Sequence, residues 1–465
     1  MRRLFALMTL SFLPVPILLG GCDSIDRAAH VATGFASHQL CSATFVSKLD
    51  PETFYREAIA PTGGPIKSLI SHRVDRAHGV VTAKFAGLAE SRAIYRDTEG
   101  CLVEVGAPPN PPATLPPRGP SLLPEIAGPE PVETADPAIK AALDASFSET
   151  EGAPQRATKA MVIVHDGRVI AERYAPGYGV DTPVIGWSAT KSVTNALLGI
   201  LVRQGRLDMH APAPVAAWAD PQDPRHAITP DNLLRMNSGL DIGQSLTASA
   251  RDAFDPSAQM VFEERDMAGY AERFPLKFAP GSDWNYTNGN TLLLSRIVRD
   301  KSGGTAQAVL DFAHRELFDK LGMKHVTLEF DATGTPIGSS HMLASPRDWA
   351  KFGLLYLNDG MVGGQRLLPE AWVEYSASLT PHSEEYGYAA GFWTNRGESA
   401  GARYRINAGI PADAFMARGS FGQYVIVIPS QHLVVARFGM ALDRRNDLDM
   451  LARVIKTVIS TLPRS

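Results

Sequence analysis

The segment Gly186-Trp187-Ser188-Ala189-Thr190-Lys191 contains the only Ser-x-x-Lys of the chain. If a helix starts here, a spacing of three puts the hydroxyl and the amine on one face, a turn apart. Val193, Leu197, Ile200 and Leu201 follow at helical spacing and predict a buried helix over 190–204. An amine held in apolar surroundings is pushed toward its neutral form, in which it accepts a proton. A serine hydroxyl beside it is then an activated nucleophile, and the helix N-terminus favours the negative charge that develops on its oxygen. The plain alternative is a capping serine and a solvated lysine in a first turn.

A second constellation lies downstream, in Asp283-Trp284-Asn285-Tyr286-Thr287-Asn288-Gly289-Asn290, just ahead of the apolar run Leu292-Leu293-Leu294 and Ile297. Tyr286 and Asn288, two apart on a loop, can both face one cleft. A phenol beside an ammonium can act as a base, and an asparagine can orient both a lysine and a substrate. Tyr356-Leu357-Asn358 repeats the Tyr-x-Asn pattern but ends an amphipathic helix, where Tyr356 serves packing. His165, His226 and His341 stand in no motif and are assigned structural or surface roles. The chain shows no spacing typical of metal ligands.

The elements that must position these groups are legible. Met161 to His165 is a strand, Asp166-Gly167 a hairpin turn, and Arg168 to Tyr174 the returning strand. Near the other end, Tyr424 to Ile428 and Leu433 to Phe438 are strands. A final helix carries Leu448, Leu451, Val454, Ile455 and Val458. Helices are also predicted over 306–321 and from Ser345-Pro346, whose serine caps a helix with proline at its first position. The pattern implies an α/β fold: an antiparallel sheet built from both ends of the domain and flanked by helices, a mainly helical lobe between, and a small N-terminal appendage. The chain has 465 residues, 45% hydrophobic and 20% charged, with a net charge of −4. That balance suits a soluble globular domain and gives nucleic-acid binding no electrostatic support.

Taken in order, these motifs resemble the serine β-lactamase and penicillin-binding protein superfamily, and within it the class C β-lactamase-related hydrolases, which include esterases and 6-aminohexanoate-dimer hydrolases. Thr229 to Leu240, ending in Asn237-Ser238-Gly239-Leu240, is similar to another segment of that family. Phe278-Ala279-Pro280-Gly281 and the stretch from Ser339 to Leu357 are similar to two more. The resemblance covers roughly residues 155–440. It implies an acyl-enzyme on Ser188, with Lys191 assisting deprotonation, Tyr286 shuttling the proton and Asn288 positioning a small-molecule ester or amide, without cofactor or metal. The backbone N–H of Ser188 would form half of the oxyanion hole. The third family motif departs from its usual Lys-Thr-Gly or His-x-Gly. Here it reads Ala417-Arg418-Gly419-Ser420-Phe421-Gly422-Gln423. Either Gly419 is the motif glycine, with Ser420 as the second oxyanion donor, or Gly422 is; the first register is preferred. Arg418 either replaces the missing cation or is a solvated strand residue. A D-Ala-D-Ala peptidase of the penicillin-binding type and a degenerate, ligand-binding homologue remain as alternatives.

The N-terminus differs in kind. Met1-Arg2-Arg3, the apolar run to Leu19 and then Gly20-Gly21-Cys22 resemble a bacterial lipoprotein signal, cut before a lipidated Cys22. Asp23 resembles an inner-membrane retention signal. The expected place is therefore the bacterial cell envelope, lipid-anchored to the membrane and facing the periplasm. Cys41 and Cys101 remain of three cysteines; an oxidising compartment would join them, the alternative being two buried thiols. The expected organisation is a signal peptide over 1–21, a small N-terminal region over 22–106, a proline-rich linker over 107–135 and the hydrolase domain over 136–465.

Overall fold

Two faces of one sheet organise the molecule. The computed structural model describes residues 19–149, 151, 155–245 and 253–462. Most of the expected signal segment lies outside them. The described part opens with helix α1 (Leu19–Cys41), which has Cys22 in its first turn, and continues into strands β1 (Ile70–Asp75), β2 (Val80–Phe85), β3 (Ala89–Tyr95) and β4 (Cys101–Val103). These strands form an antiparallel sheet in sequential order, and α1 lies across β2 and β3. Val81 and Ala83 alternate inward on β2, as period two requires, and meet Leu40 and Phe45 in a small core. Cys41 and Cys101 are joined there by a disulfide.

Residues 104–136 contain no helix or strand. The stretch is tied to the domain beneath it: the Gly119 N–H donates to Asp319 Oδ2 at 2.7 Å, and Arg347 Nη1 donates to Gly128 O at 2.6 Å. Helix α2 (Pro137–Phe147) follows, capped by Asp136, and then the hairpin β5 (Thr158–His165) and β6 (Arg168–Tyr174). Asp166 and Gly167 turn it with φ of 48° and 75°, the left-handed pair that a two-residue turn needs.

Helix α3 (Thr190–Arg203) opens the helical part, which includes α4 (Pro256–Glu263), α5 (Asn288–Ser302), α6 (Ala306–Ala313) and α7 (Pro346–Leu357). The chain returns to the sheet with β7 (Trp393–Thr394), β8 (Phe415–Gly419), β9 (Gln423–Ile428) and β10 (Leu433–Gly439), and closes with α8 (Arg444–Thr461). The main sheet is antiparallel, in the order β7-β8-β9-β10-β5-β6. Val162 and Val164 of β5 face Trp349 and Phe352 of α7, while Met161 and Ile163 face Leu451 and Ile455 of α8. Burial on both faces explains why these strands are near-continuously apolar. The expected α/β architecture, an antiparallel sheet flanked by helices with a mainly helical part between its two ends, is therefore present. The helix expected over 306–321 is α-helical only to Ala313. A wider π turn over His314–Phe318 follows, through which Leu317, Phe318 and Leu321 stay buried. Among the described residues no helix is long and apolar enough to cross a membrane.

Candidate active site

Ser188 does not start the α-helix. It sits in a 3₁₀ turn, Trp187–Ala189, immediately before α3. The Gly186 N–H bonds to Met342 O at 2.9 Å, which ties the turn to the strand Met342–Ala344. Trp187 has φ of +46°, a conformation that a bulky residue adopts only when its surroundings enforce it. The result is a half-buried hydroxyl raised at the head of a buried helix.

Lys191, 1% exposed, points back toward that hydroxyl. Its Nζ lies 2.7 Å from Asn288 Oδ1, 2.8 Å from Ser339 O and 3.3 Å from Ser188 Oγ. No carboxylate pairs with it among its described partners. Burial alone brings the amine down to about 7. The Tyr286 ring lies beneath the amine, with its centroid 5.0 Å from Nζ. Tyr388 and Trp393 pack edge-on and tilted against Tyr286, at 5.3 and 5.4 Å, and hold its ring in place. Asn288 is the first residue of α5, after the capping Thr287, so helix geometry aims its amide. The structure thus brings Ser188, Lys191, Tyr286 and Asn288 into one cleft.

The β8–β9 hairpin forms the opposite wall. A Cβ on Gly419 would lie 2.1 Å from Gly186 O and 2.9 Å from Trp187 Cβ, so only glycine lets the strand approach the serine turn this closely. Gly422, by contrast, abuts Arg437 and Asp447 on the far side of the turn. Gln423 fixes the turn by donating from Nε2 to Ser420 O at 2.9 Å and to Gly439 O at 2.8 Å. Arg418 is stacked between Trp393 and Tyr424, at 5.6 and 5.4 Å from their ring centroids, and lines the cleft with Ser188, Tyr286 and Ser420.

Two members of the site were not anticipated. Ser245 accepts from the Asn288 N–H at 3.2 Å, donates its own N–H to Tyr286 O at 2.8 Å, and meets the Ser257 hydroxyl. It sits in a loop with no periodic signal. Ser339 acts through its carbonyl, which any residue could supply. His165 and His226 lie elsewhere, with Asp166 Oδ2 3.5 Å and Trp218 O 2.8 Å away respectively. His341 comes nearer: it lines the cavity that Ser188 opens into, and its Nδ1 lies 2.8 Å from Ser340 Oγ. Burial, then His38 and Lys191, holds it well below its usual range, so it is a neutral imidazole.

The expectation of no metal-ligand grouping needs amending. His38, Glu329 and His341, all buried, bring potential ligand atoms within 4.8 Å of one another. Their wide sequence separation hid the grouping. His38 Nε2 already lies 3.0 Å from Glu329 Oε2 and 3.2 Å from Cys101 O, and Glu329 Oε1 accepts from Ser42 Oγ at 2.8 Å and the Cys101 N–H at 2.9 Å. These contacts make it a buried polar seam that fastens the N-terminal region to the main body.

Known proteins are similar to this chain in family and in fold. The beta-lactamase family model matches residues 143–455, well over half of the chain. A 6-aminohexanoate-dimer hydrolase of Paenarthrobacter ureafaciens is 25% identical over 263 residues, 53% of this chain and 64% of the relative. An uncharacterised protein of Alkalihalophilus pseudofirmus is 22% identical over 198 residues, 39% of this chain and 59% of the relative. The chain thus spans under two thirds of the length of these curated relatives. Among solved structures, a Bacillus anthracis protein assigned as a 6-aminohexanoate-dimer hydrolase superposes with a TM-score of 0.58 at 20% identity, over 76% of this chain and 92% of that one. A penicillin-binding protein homologue of Caulobacter crescentus gives 0.54 at 17% identity, over 73% and 100%. Both likenesses speak to the fold. From the family match, the chain belongs to the beta-lactamase family.

Proposed function

We propose that the protein is a serine hydrolase that cleaves an ester or amide through an acyl-enzyme on Ser188. The observation that carries the reading is the geometry of Lys191. As a neutral amine it has two hydrogens, and Asn288 Oδ1 and Ser339 O take both; its lone pair is left facing Ser188 Oγ at 3.3 Å. The Ser188 proton passes to Lys191 as Oγ attacks the acyl carbon. The oxyanion is held by the backbone N–H groups of Ser188 and Ser420, the register that the packing of Gly419 against Gly186 supports. The Tyr286 hydroxyl gives its proton to the leaving oxygen or nitrogen and takes in exchange the one held by Lys191, and water then releases the acyl group by the reverse path.

A fluorophosphonate probe should label the wild-type chain and leave Ser188→Ala unlabelled, with nitrophenyl acetate turnover lost in parallel. Full activity in Ser188→Ala overturns the assignment. Arg418 favours a second reading, a peptidase of the D-Ala-D-Ala type that holds a substrate carboxylate; covalent binding of labelled penicillin tests it. The reading of Cys22 as a lipid anchor at the cell envelope rests on Leu19-Gly20-Gly21-Cys22. Incorporation of labelled palmitate, lost in Cys22→Ala, tests that.

A further inference from the structure

Ser188 opens into two spaces of different chemistry. One is the small cleft beneath Arg418. The other is a cavity of about 300 Å³ between the N-terminal region and the catalytic body, with Ser188, Asn288 and Ser420 at its inner end. The family match begins only at residue 143, so part of this second space is built by chain outside the matched region.

Its roof is one stripe of α1. Ile25, Ala28, Ala29, Ala32 and Phe35 recur at helical spacing and all line the cavity. The three alanines leave the room; larger side chains there would fill it. Ile70 and Phe85, paired across β1 and β2, close one side. Val261 and Phe262 of α4, with Trp187 and Phe421, supply the floor beside the serine. The polar groups on the wall are largely engaged. Asp255 accepts from the Ser257 N–H at 2.8 Å as the cap of α4, and His341 is neutral and bonded to Ser340. Among the described residues no lysine or arginine lines this cavity. At the outer end, Ile25 and Phe254 line it while 58% and 55% exposed. Leu69 and Leu88, also exposed, flank Ile70 and Phe85. Large apolar side chains gathered around a mouth mark a site for an apolar ligand.

We propose that this cavity holds the acyl chain of the substrate, an unbranched aliphatic acyl group of medium length, while the leaving group lies in the cleft under Arg418. The proposal rests on Ser188 being the nucleophile. The ester's acyl carbon bonds to Ser188 Oγ, the alcohol departs with its proton, and water later releases the fatty acid. A buried methylene contributes about 0.8 kcal/mol, so kcat/KM should climb on the order of fourfold per added methylene until the cavity is full.

The test is a series of dissolved nitrophenyl esters, acetate to decanoate, on the full chain. The expected result is a rise of at least ~100-fold in kcat/KM between acetate and octanoate. In Ala32→Trp the decanoate-to-acetate ratio should fall at least ~10-fold, because the added ring fills the cavity. Should that variant fail to fold by circular dichroism, Ala28→Phe replaces it and the wild-type series stands by itself. A flat or falling series, with acetate turnover still dependent on Ser188, overturns the acyl cavity and spares the hydrolase. No turnover of any ester and no fluorophosphonate labelling overturns the hydrolase reading instead. With the gradient present, fatty-acid release from phosphatidylglycerol vesicles assigns the chains to membrane lipid; turnover confined to dissolved esters assigns them to soluble substrates. Either supports the cavity.

Discussion

Lys191 gives the site its pH dependence. Its amine titrates at about 7 because burial disfavours the charged form. It is therefore neutral, and able to accept the Ser188 proton, above that pH. We expect kcat/KM to rise as pH passes through about 7 and to level off above it. Lys191→Arg, which stays charged, should lose on the order of 10³-fold in kcat at every pH. Stability follows with a definite sign. The unfolded chain holds this proton up to the ordinary lysine value of 10.5, so between 7 and 10.5 the unfolded state binds more protons, and folding strengthens as pH rises. Below 7 the penalty is constant and largest. Lys191→Met removes the titration, so its melting temperature relative to wild type should decline from pH 7 to pH 10; a constant difference would contradict the buried amine. Tyr286→Phe keeps the ring under Nζ and removes the hydroxyl. A loss of ~10²-fold or more in kcat, in protein that stays folded by circular dichroism, is the expected outcome.

At the scale of elements, the serine turn and the β8–β9 hairpin must meet, and two glycines divide the work. Gly419→Ala drives a methyl into Gly186 O beside the nucleophile, whereas Gly422→Ala meets Arg437 and Asp447. The first should lower kcat by ~10²-fold or more through a displaced oxyanion donor, with a smaller effect on melting. The second should lower the melting temperature and leave more of the turnover per folded molecule. Kinetics and calorimetry on both variants would separate the two effects. Ser188, Lys191, Tyr286 and Asn288 were legible because each motif is local and adjoins an apolar helix. The register of the third motif was read only as a preference for Gly419 over Gly422, because strand pairing and the Gln423 side chain decide which glycine faces the serine, and neither is a local property. Ser339 left no trace because a carbonyl carries no residue signature.

Across the whole molecule, the N-terminal region was the least legible part. The segment from Leu19 to Cys41 is rich in alanine and polar residues, and its apolar stripe is narrow and built largely of alanine. It is a helix because β2 and β3 on one side and α4 on the other bury it. Glu329 is its tether, accepting from Ser42 and Cys101 and pairing with His38. Glu329→Ala strands those buried groups and should cost roughly 3–5 kcal/mol. Limited proteolysis should then release the N-terminal region, held together within itself by Cys41–Cys101, ahead of the catalytic body. The main sheet has a different consequence. Its central seam joins β10 to β5, with Val434 opposite Val164. The ribosome delivers β5 long before β10, so this seam closes only after the whole stretch between the two strands has emerged. Nascent chains stalled before Leu433 should stay open to protease along β5, and extension through Gly439 should protect the sheet in a single step.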